Sequence, residues 1–415
     1  MSDASHFGSD AFREEAPPGG APLPPAATAV PFQAAASLVT AGLLVFLNLY
    51  DVQPLLPRLR QVFGAGEAAV SLAIALPVLA VAVSSLVIGP LSDRWGRKRV
   101  MVAGTLLIAL PTLAAAHAPD LWSFLAARTA TGLVIPSVIA VVIAYVNEEY
   151  RPPASHVLMS LYVSATVVGG LVGRVGTGLL AAWWGWRAAI ATVGWVTLAA
   201  GAVLTVALPP SRRFRPNSSW ARSFGDLARS FGDPTLLSLG FLGFSYFFAF
   251  LSSFTFLTYD LADPPFRLSQ IAISLLFFTY LFGVAASPVA GRLSARVGPF
   301  PVVGAGLALL IAGTLLTLAP SLPVIVAGLC CVTCGQFTAQ ALTPALAGQV
   351  ASHGRGAAGG LYTVLYYLGG AAGSAVPGWI WPRYHYPGVV ALDLLCLLGA
   401  VGFWNLARRR VALSH

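Results

Sequence analysis

GPLSDRWGRKR, residues 89–99, lies between two long apolar runs and places five charged side chains, Asp93, Arg94, Arg97, Lys98 and Arg99, within seven residues. A partial copy, GRLSARVG, recurs at 291–298, an offset of 202, matching at Gly, Leu, Ser, Arg and Gly. A second pair follows nearly the same spacing. LYVSATVVGGLVGRVGTG at 161–178 and LYTVLYYLGGAAGSAVPG at 361–378 share Leu161/Leu361, Tyr162/Tyr362, Gly169/Gly369, Gly170/Gly370, Gly173/Gly373 and Gly178/Gly378, an offset of 200. Two separate motifs repeated at one distance mark a chain built from two parallel halves.

Composition sets the class. Of 415 residues, 57% are hydrophobic and 9% charged, with mean hydropathy +0.78, which excludes an ordinary soluble domain. Apolar runs of about 20 residues, the length a membrane helix needs, begin near residues 33, 68, 99, 120, 156, 187, 234, 269, 299, 321, 356 and 387. Hydrocarbon offers the backbone no hydrogen bonds, and short alternating segments are nowhere visible, so the runs read as helices rather than barrel strands. The expected fold is an all-α integral membrane protein of twelve transmembrane helices in two six-helix bundles.

The division along the chain follows. Residues 1–31, rich in Pro, Ala and Gly, lack a basic segment followed by an apolar core, and read as a disordered cytoplasmic tail rather than a signal peptide. Residues 32–208 form the first bundle, 209–233 a cytoplasmic linker carrying Arg212, Arg213, Arg215, Arg222 and Arg229, 234–407 the second bundle, and 408–415 a basic tail. The net charge of +9 is distributed by side: 17 of the 24 Lys and Arg residues fall on the side of the termini and five on the other, the two left over being Arg128 and Arg174 inside spans. That asymmetry is the positive-inside pattern, which places both termini in the cytoplasm and removes the case for nucleic-acid binding.

Several chemistries are disfavoured. Cys331 and Cys334 spell C-x-x-C inside an apolar run without a second ligand pair or a histidine, which reads as small-residue helix packing and not a metal or redox site. No nucleotide-binding P-loop occurs, and Gly169-Gly170-x-x-Gly173 reads as close helix packing. No cofactor, no metal and no enzyme activity are expected. The ionisable groups within spans are therefore informative, because each is costly there. Arg128 lies about two turns inside the fourth span, Arg174 in the outer half of the fifth, and Asp51 near the outer end of the first. One acid with two guanidinium groups leaves a net positive site, suited to an anionic or polar neutral molecule, and these three residues are expected to form one coupled site. Tyr162, Tyr246, Gln336, Tyr362 and Tyr366 are candidate cavity-lining contacts. Asp393, in the last span, has no evident partner.

Over residues 33 to 407 the chain resembles the major facilitator superfamily of transporters. GPLSDRWGRKR is similar to that family's G-x-L-a-D-R-x-G-R-K-x loop, and AARTATG at 126–132 to its fourth-helix R-x-x-q-G signature, with Thr131 where Gln is commoner. YDVQPLLPRLRQVF at 50–63 and LVGRVGTGLL at 171–180 resemble the YnfM-like bacterial inner-membrane exporters of the drug/proton antiporter branch. GGLVGRVGTG keeps the glycines of the family's antiporter signature but puts Arg174 where Pro is expected. The resemblance implies a secondary active transporter working by alternating access, most simply proton-coupled export of a small organic molecule across a bacterial inner (plasma) membrane. Uptake symport or facilitation of a small polar or anionic metabolite, and a transport-inactive membrane sensor, are the alternatives. A small-molecule substrate, protons and membrane lipids are the implied partners of a monomer. The resemblance also implies a conformational latch. Asp93 would bond to the N-terminus of the eleventh helix, Arg94 and Arg97 would hold Asp93 and lipid headgroups, and Gly89 and Gly96 would permit close approach and a tight turn. Ala295 stands in place of Asp93 in the second copy, so the latch is expected to be asymmetric.

Overall fold

The computed structural model describes residues 27–214, 225, 229–350 and 355–413. The first half comprises α1 (Phe32–Tyr50), a 3-10 turn (Gln53–Leu55), α2 (Leu56–Phe63), α3 (Glu67–Trp95), α4 (Arg97–Ala116), α5 (Leu121–Val134), α6 (Pro136–Glu149) and α7 (Ala154–Ala207). The second comprises α8 (Pro234–Ala262), α9 (Gln270–Leu275), a 3-10 turn (Leu276–Thr279), α10 (Tyr280–Val297), α11 (Pro299–Leu316), α12 (Leu322–Val350), α13 (Arg355–Ala375) and α14 (Pro377–Leu413). Among the described residues, ten helical segments are long and apolar enough to cross a membrane. The backbone leaves helical geometry at Gly185 within α7, so that segment crosses twice. It does so again at His385 within α14, and α13 with the start of α14 supplies the eleventh crossing before that break. Among the described residues the result is twelve crossings in two sets of six.

The repeat seen in the sequence is a repeat of packing. A methyl group added at Gly169 would lie 2.2 Å from the Leu43 carbonyl oxygen, and one at Gly173 2.7 Å from that of Leu47. In the second half, additions at Gly369 and Gly373 would meet the carbonyl oxygens of Phe244 and Phe248 at 2.1 and 2.2 Å. The glycines let α7 lie backbone to backbone on α1, and α13 on α8, where any side chain would hold the helices apart. The turns after α3 and α10 match too: Gly96 at φ 94° and Gly298 at φ 86° occupy left-handed backbone that only glycine enters without strain. Four more glycines, Gly306, Gly313, Gly328 and Gly335, seat α11 against α12 beside Cys331. The C-x-x-C thus sits in a small-residue helix contact, and its cysteines are free.

An even number of crossings brings both termini to one end of the bundle, here the terminus end. Ala27 donates to the Glu149 carbonyl at 3.1 Å and its own carbonyl accepts from Arg151 N–H at 3.0 Å. The expected disordered tail is therefore pinned at its last residues; residues 1–26 and most of the 209–233 linker lie outside the described residues. Among the described residues, the contacts that join the halves gather at the far end. Arg60 binds Asp263 through two hydrogen bonds of 2.7 and 2.9 Å, Gln53 donates to Thr255 at 3.2 Å, Gln270 donates to the Pro54 carbonyl at 2.8 Å, and Ser71 lies 3.2 Å from the Tyr259 hydroxyl. Exposed Trp183, Trp184 and Trp379 ring the far end and Trp95 stands at the terminus end, the positions an aromatic belt takes at membrane surfaces.

Candidate functional site

The site is built on a break in the first crossing. Pro54 carries no backbone N–H and its ring crowds the carbonyl four residues earlier, so α1 stops at Tyr50 and the chain continues through a 3-10 turn into α2. A helix that ends inside a membrane leaves carbonyls with no water to satisfy them. Arg128, from α5, supplies the donors: Nη1 bonds the Asn48 carbonyl at 2.9 Å and Nη2 the Leu49 carbonyl at 3.0 Å. A guanidinium at a helix C-terminus also meets the negative end of the helix dipole. Asp51, the residue capping that terminus, places Oδ1 3.0 Å from Arg128 Nη1, and both side chains are fully buried. The contact is an ion pair without hydrogen-bond alignment, and Asp51 Oδ2 and Arg128 Nε have no hydrogen-bond partner. Asp51 is set 12 residues before the end of the Phe32–Phe63 crossing, deeper than a position near the outer end of the span.

Arg174 is held separately. Its Nε bonds Gln53 Oε1 at 2.7 Å and its Nη1 bonds the Gly170 carbonyl at 2.9 Å. The guanidinium lies between the rings of Tyr50 (4.0 Å to the centroid) and Tyr280 (4.6 Å), with Phe277 at 5.5 Å. Desolvated cation–ring contacts of this kind are worth about 2 kcal/mol each. Tyr280 and Phe277 belong to the second half, so Arg174 spans the junction between bundles. Asp51 and Arg128 come together as expected, whereas Arg174 reaches Gln53 and not Asp51, because the chain turns at the break and carries Gln53 past the carboxylate. Tyr50, Gln53, Phe277 and Tyr280 were not anticipated; Pro54 was the signal that the first crossing breaks there.

The second half contributes a polar aromatic cluster. Tyr246 and Tyr362 share a hydroxyl–hydroxyl hydrogen bond, Gln336 Nε2 donates to the Tyr366 hydroxyl at 3.3 Å, and Tyr366 stacks on Phe247 at 3.9 Å. Four of the five expected contacts thus converge from α8, α12 and α13. Tyr162 lies apart on Gly42, with its hydroxyl unpartnered, as Tyr362 lies on Gly243 in the other half. Buried guanidinium groups thus lie in the first half and a buried cluster of hydroxyl and amide groups in the second. Asp393 is fully buried, accepts from Ser253 at 3.0 Å through Oδ2, and leaves Oδ1 unpartnered.

Residues 38–374 match the Major Facilitator Superfamily. The chain belongs to that family. It is 35% identical over 379 residues to the inner membrane transport protein YnfM of Escherichia coli K12, covering 90% of each chain. It is 32% identical over 362 residues to YybF, an uncharacterized MFS-type transporter of Bacillus subtilis strain 168, covering 87% of this chain and 90% of that one. Its fold matches the crystal structure of a bacterial homolog of the human lysosomal transporter Spinster with a TM-score of 0.77 at 16% identity, covering 92% of this chain and 98% of that one. The chain is therefore a multi-pass membrane transporter and not an enzyme.

The hinge of this major facilitator protein is internally paired. Arg97 binds Asp93 one turn earlier on the chain, bonds Ser92, and reaches Glu148 Oε1 at the end of α6 at 2.6 Å. Arg94 is exposed, and Gly89, expected to permit a close approach, has open space where its Cβ would stand, since the halves join at the opposite end. The side chains at the start of the eleventh helix, the expected partner of Asp93, and residues 351–354 before it lie outside the described residues. Gly132 of the fourth-helix motif packs on α3, where an added Cβ would meet the Pro77 carbonyl oxygen at 2.3 Å, and Thr131 bonds its own helix at the Ala127 carbonyl.

Proposed function

We propose that the chain is a proton-coupled secondary transporter that exports a small organic molecule across a bacterial inner membrane, acting as a monomer with both termini cytoplasmic. The buried Asp51–Arg128 ion pair carries this reading. Protonating Asp51 removes the charge that faces Arg128 and frees the guanidinium for another acceptor, so one carboxyl links proton uptake to a change at the site. The 17-to-5 basic asymmetry supports cytoplasmic termini. With that orientation the far-end contacts close the outer side, and the conformation is inward-facing. The Asp93 latch then acts in the opposite, outward-facing state, and the Tyr246, Gln336, Tyr362 and Tyr366 cluster and Tyr162 face the substrate path. The export direction and the drug/proton antiporter branch rest on the resemblance of residues 50–63 and 171–180.

The test is inverted vesicles under an imposed pH gradient, screened with metabolites and drugs. Gradient-driven accumulation of one compound, lost in Asp51→Asn while substrate exchange persists, is the expected result. Transport that ignores the gradient, or coupling that survives Asp51→Asn, overturns it. A second reading, uptake symport or facilitation of a small anion, is favoured by Arg174, which has no carboxylate partner among the described residues. Right-side-out vesicles that accumulate an anion in an Arg174-dependent way decide for it.

A further inference from the structure

Asn48 supplies one of the two carbonyls that Arg128 binds, and its side chain is engaged elsewhere. Nδ2 donates to the Leu44 carbonyl at 2.8 Å and to Thr197 Oγ1 at 2.7 Å, and Oδ1 accepts from the Thr112 hydroxyl at 2.8 Å. A carbonyl only accepts, so Leu44 fixes which end of the amide points which way. Thr112 stands on α4 and Thr197 on α7 beyond the break at Gly185, so one amide ties the first crossing to the third and the sixth. All three side chains are fully buried. The threonines do not need this amide to satisfy their donors, because each hydroxyl also reaches its own helix, Thr112 at the Ile108 carbonyl (2.9 Å) and Thr197 at the Val193 carbonyl (2.8 Å). What the amide adds is direction. The glycine contacts at Leu43 and Leu47 bring α1 close to α7 but are smooth, whereas hydrogen bonds weaken steeply when their atoms are displaced. Asp51 follows Asn48 by three residues, at the C-cap of the same helix.

The second half shows what the tie accompanies. The carbonyls of Leu43 and Leu47 are matched there by those of Phe244 and Phe248, so Asn48 corresponds to Ala249 and Asp51 to Ser252. Gly96 and Gly298 likewise set Thr112 against Thr314, whose buried hydroxyl has no partner among the described residues. The counterpart of α5, α12, carries no basic residue. The half without a buried charge pair thus keeps the threonine and lacks the amide, so the tie goes with the pair and not with the repeat. We propose that Asn48 is a positioning residue of the Asp51–Arg128 pair: its amide, held by Thr112 and Thr197, fixes the end of α1 where the carboxylate meets the guanidinium. The inference concerns the pair itself, and its consequence for coupling rests on the proposed function.

The experiment treats the full chain in membranes with dicyclohexylcarbodiimide, an apolar reagent that adds to protonated carboxyl groups and spares carboxylates held in ion pairs. Peptide mass spectrometry then reads the labelling of each acid. Thr197→Val removes one bond of the tie and leaves Nδ2 on Leu44, so labelling of Asp51 should rise about fivefold, the weight of one buried hydrogen bond. Asn48→Leu, which keeps the branching and strands neither threonine, removes two and should raise it about 25-fold. Thr112→Ser and Thr197→Ser keep the hydroxyl and should label as the parent does. Asp393, equally buried but in the other half, is the internal reference and should not change. Thermal unfolding establishes that the variants are folded. Unchanged labelling of Asp51 in both Thr197→Val and Asn48→Leu overturns the proposal, and so does an equal rise at Asp393, which would mean general loosening. In vesicles under a pH gradient, Asn48→Leu should lose gradient-driven accumulation as Asp51→Asn does, and full coupling in Asn48→Leu where Asp51→Asn has lost it also overturns the proposal. If Asp51 labelling rises while Asp51→Asn stays coupled, the positioning role stands and the coupling reading alone falls.

Discussion

Removing the Arg60–Asp263 bond should move this transporter toward its other conformation. The pair joins the bundles across the far end through two hydrogen bonds of 2.7 and 2.9 Å, and Arg60 also binds Glu67, within its own half, at 2.7 Å. Side-chain exposure is 20% for Arg60 and 41% for Asp263, so solvent screens much of the attraction. Exposed pairs contribute about 0.2 to 1 kcal/mol, and breaking a fully buried pair costs about 3 to 5 kcal/mol. This bidentate, partly buried pair belongs between them, at about 1 to 2 kcal/mol, which is about 5- to 30-fold in a conformational equilibrium. Arg60→Ala and Asp263→Asn should each shift the population by that factor toward opening at the far end. Glu67→Gln should shift it less, because its bond does not cross the junction. The exchanged double variant Arg60→Asp/Asp263→Arg should recover most of the difference. Spin labels on cysteines at Gln61 and Arg267, both exposed, read the separation in a background lacking the native cysteines. A distance distribution unchanged in both single variants would refute the reasoning, as would an exchange that restores nothing.

Three further outcomes are expected. Arg128→Ala strands Asp51 and uncaps two carbonyls, costing about 3 to 5 kcal/mol in thermal or denaturant unfolding and abolishing transport. Arg128→Lys should not rescue it, because one ammonium does not reproduce the fork that reaches Asn48 and Leu49, and Asp51→Asn should partly relieve Arg128→Ala; additive effects would mean the pair is not coupled. Asp93→Asn should leave expression intact, cut transport and lower the outward-facing population measured by spin labels on the terminus-end faces, and an unchanged equilibrium would leave Asp93 a loop residue. A cysteine at Ser218, in the linker, should resist membrane-impermeant thiol reagents in intact cells, and labelling from outside would reverse the topology.

How much of the site was legible differed by residue. Arg128 and Asp51 were visible as costly charges at similar depth, and the structure joins them. The partner of Arg174 was not visible, because Gln53 is an ordinary polar residue whose direction is fixed by the break that Pro54 imposes. Tyr246, Gln336, Tyr362 and Tyr366 could be named as amphipathic side chains, but their convergence depends on where α8, α12 and α13 pack. Arg60 lay within the 50–63 stretch but nothing in the sequence paired it with Asp263, and their bond exists because two distant segments end at the same face.

By itself the sequence determined the class, the twelve crossings and the two-fold repeat. Those follow from local rules: hydrocarbon demands about 20 apolar residues per helix, and glycines repeated at one offset demand the same close packing twice. Only the tertiary structure decided which buried charges meet and at which end of the bundle the two halves are bonded together. Each of those depends on distances between residues far apart in the chain, set by the angles at which whole helices cross, and no local pattern of residues encodes them.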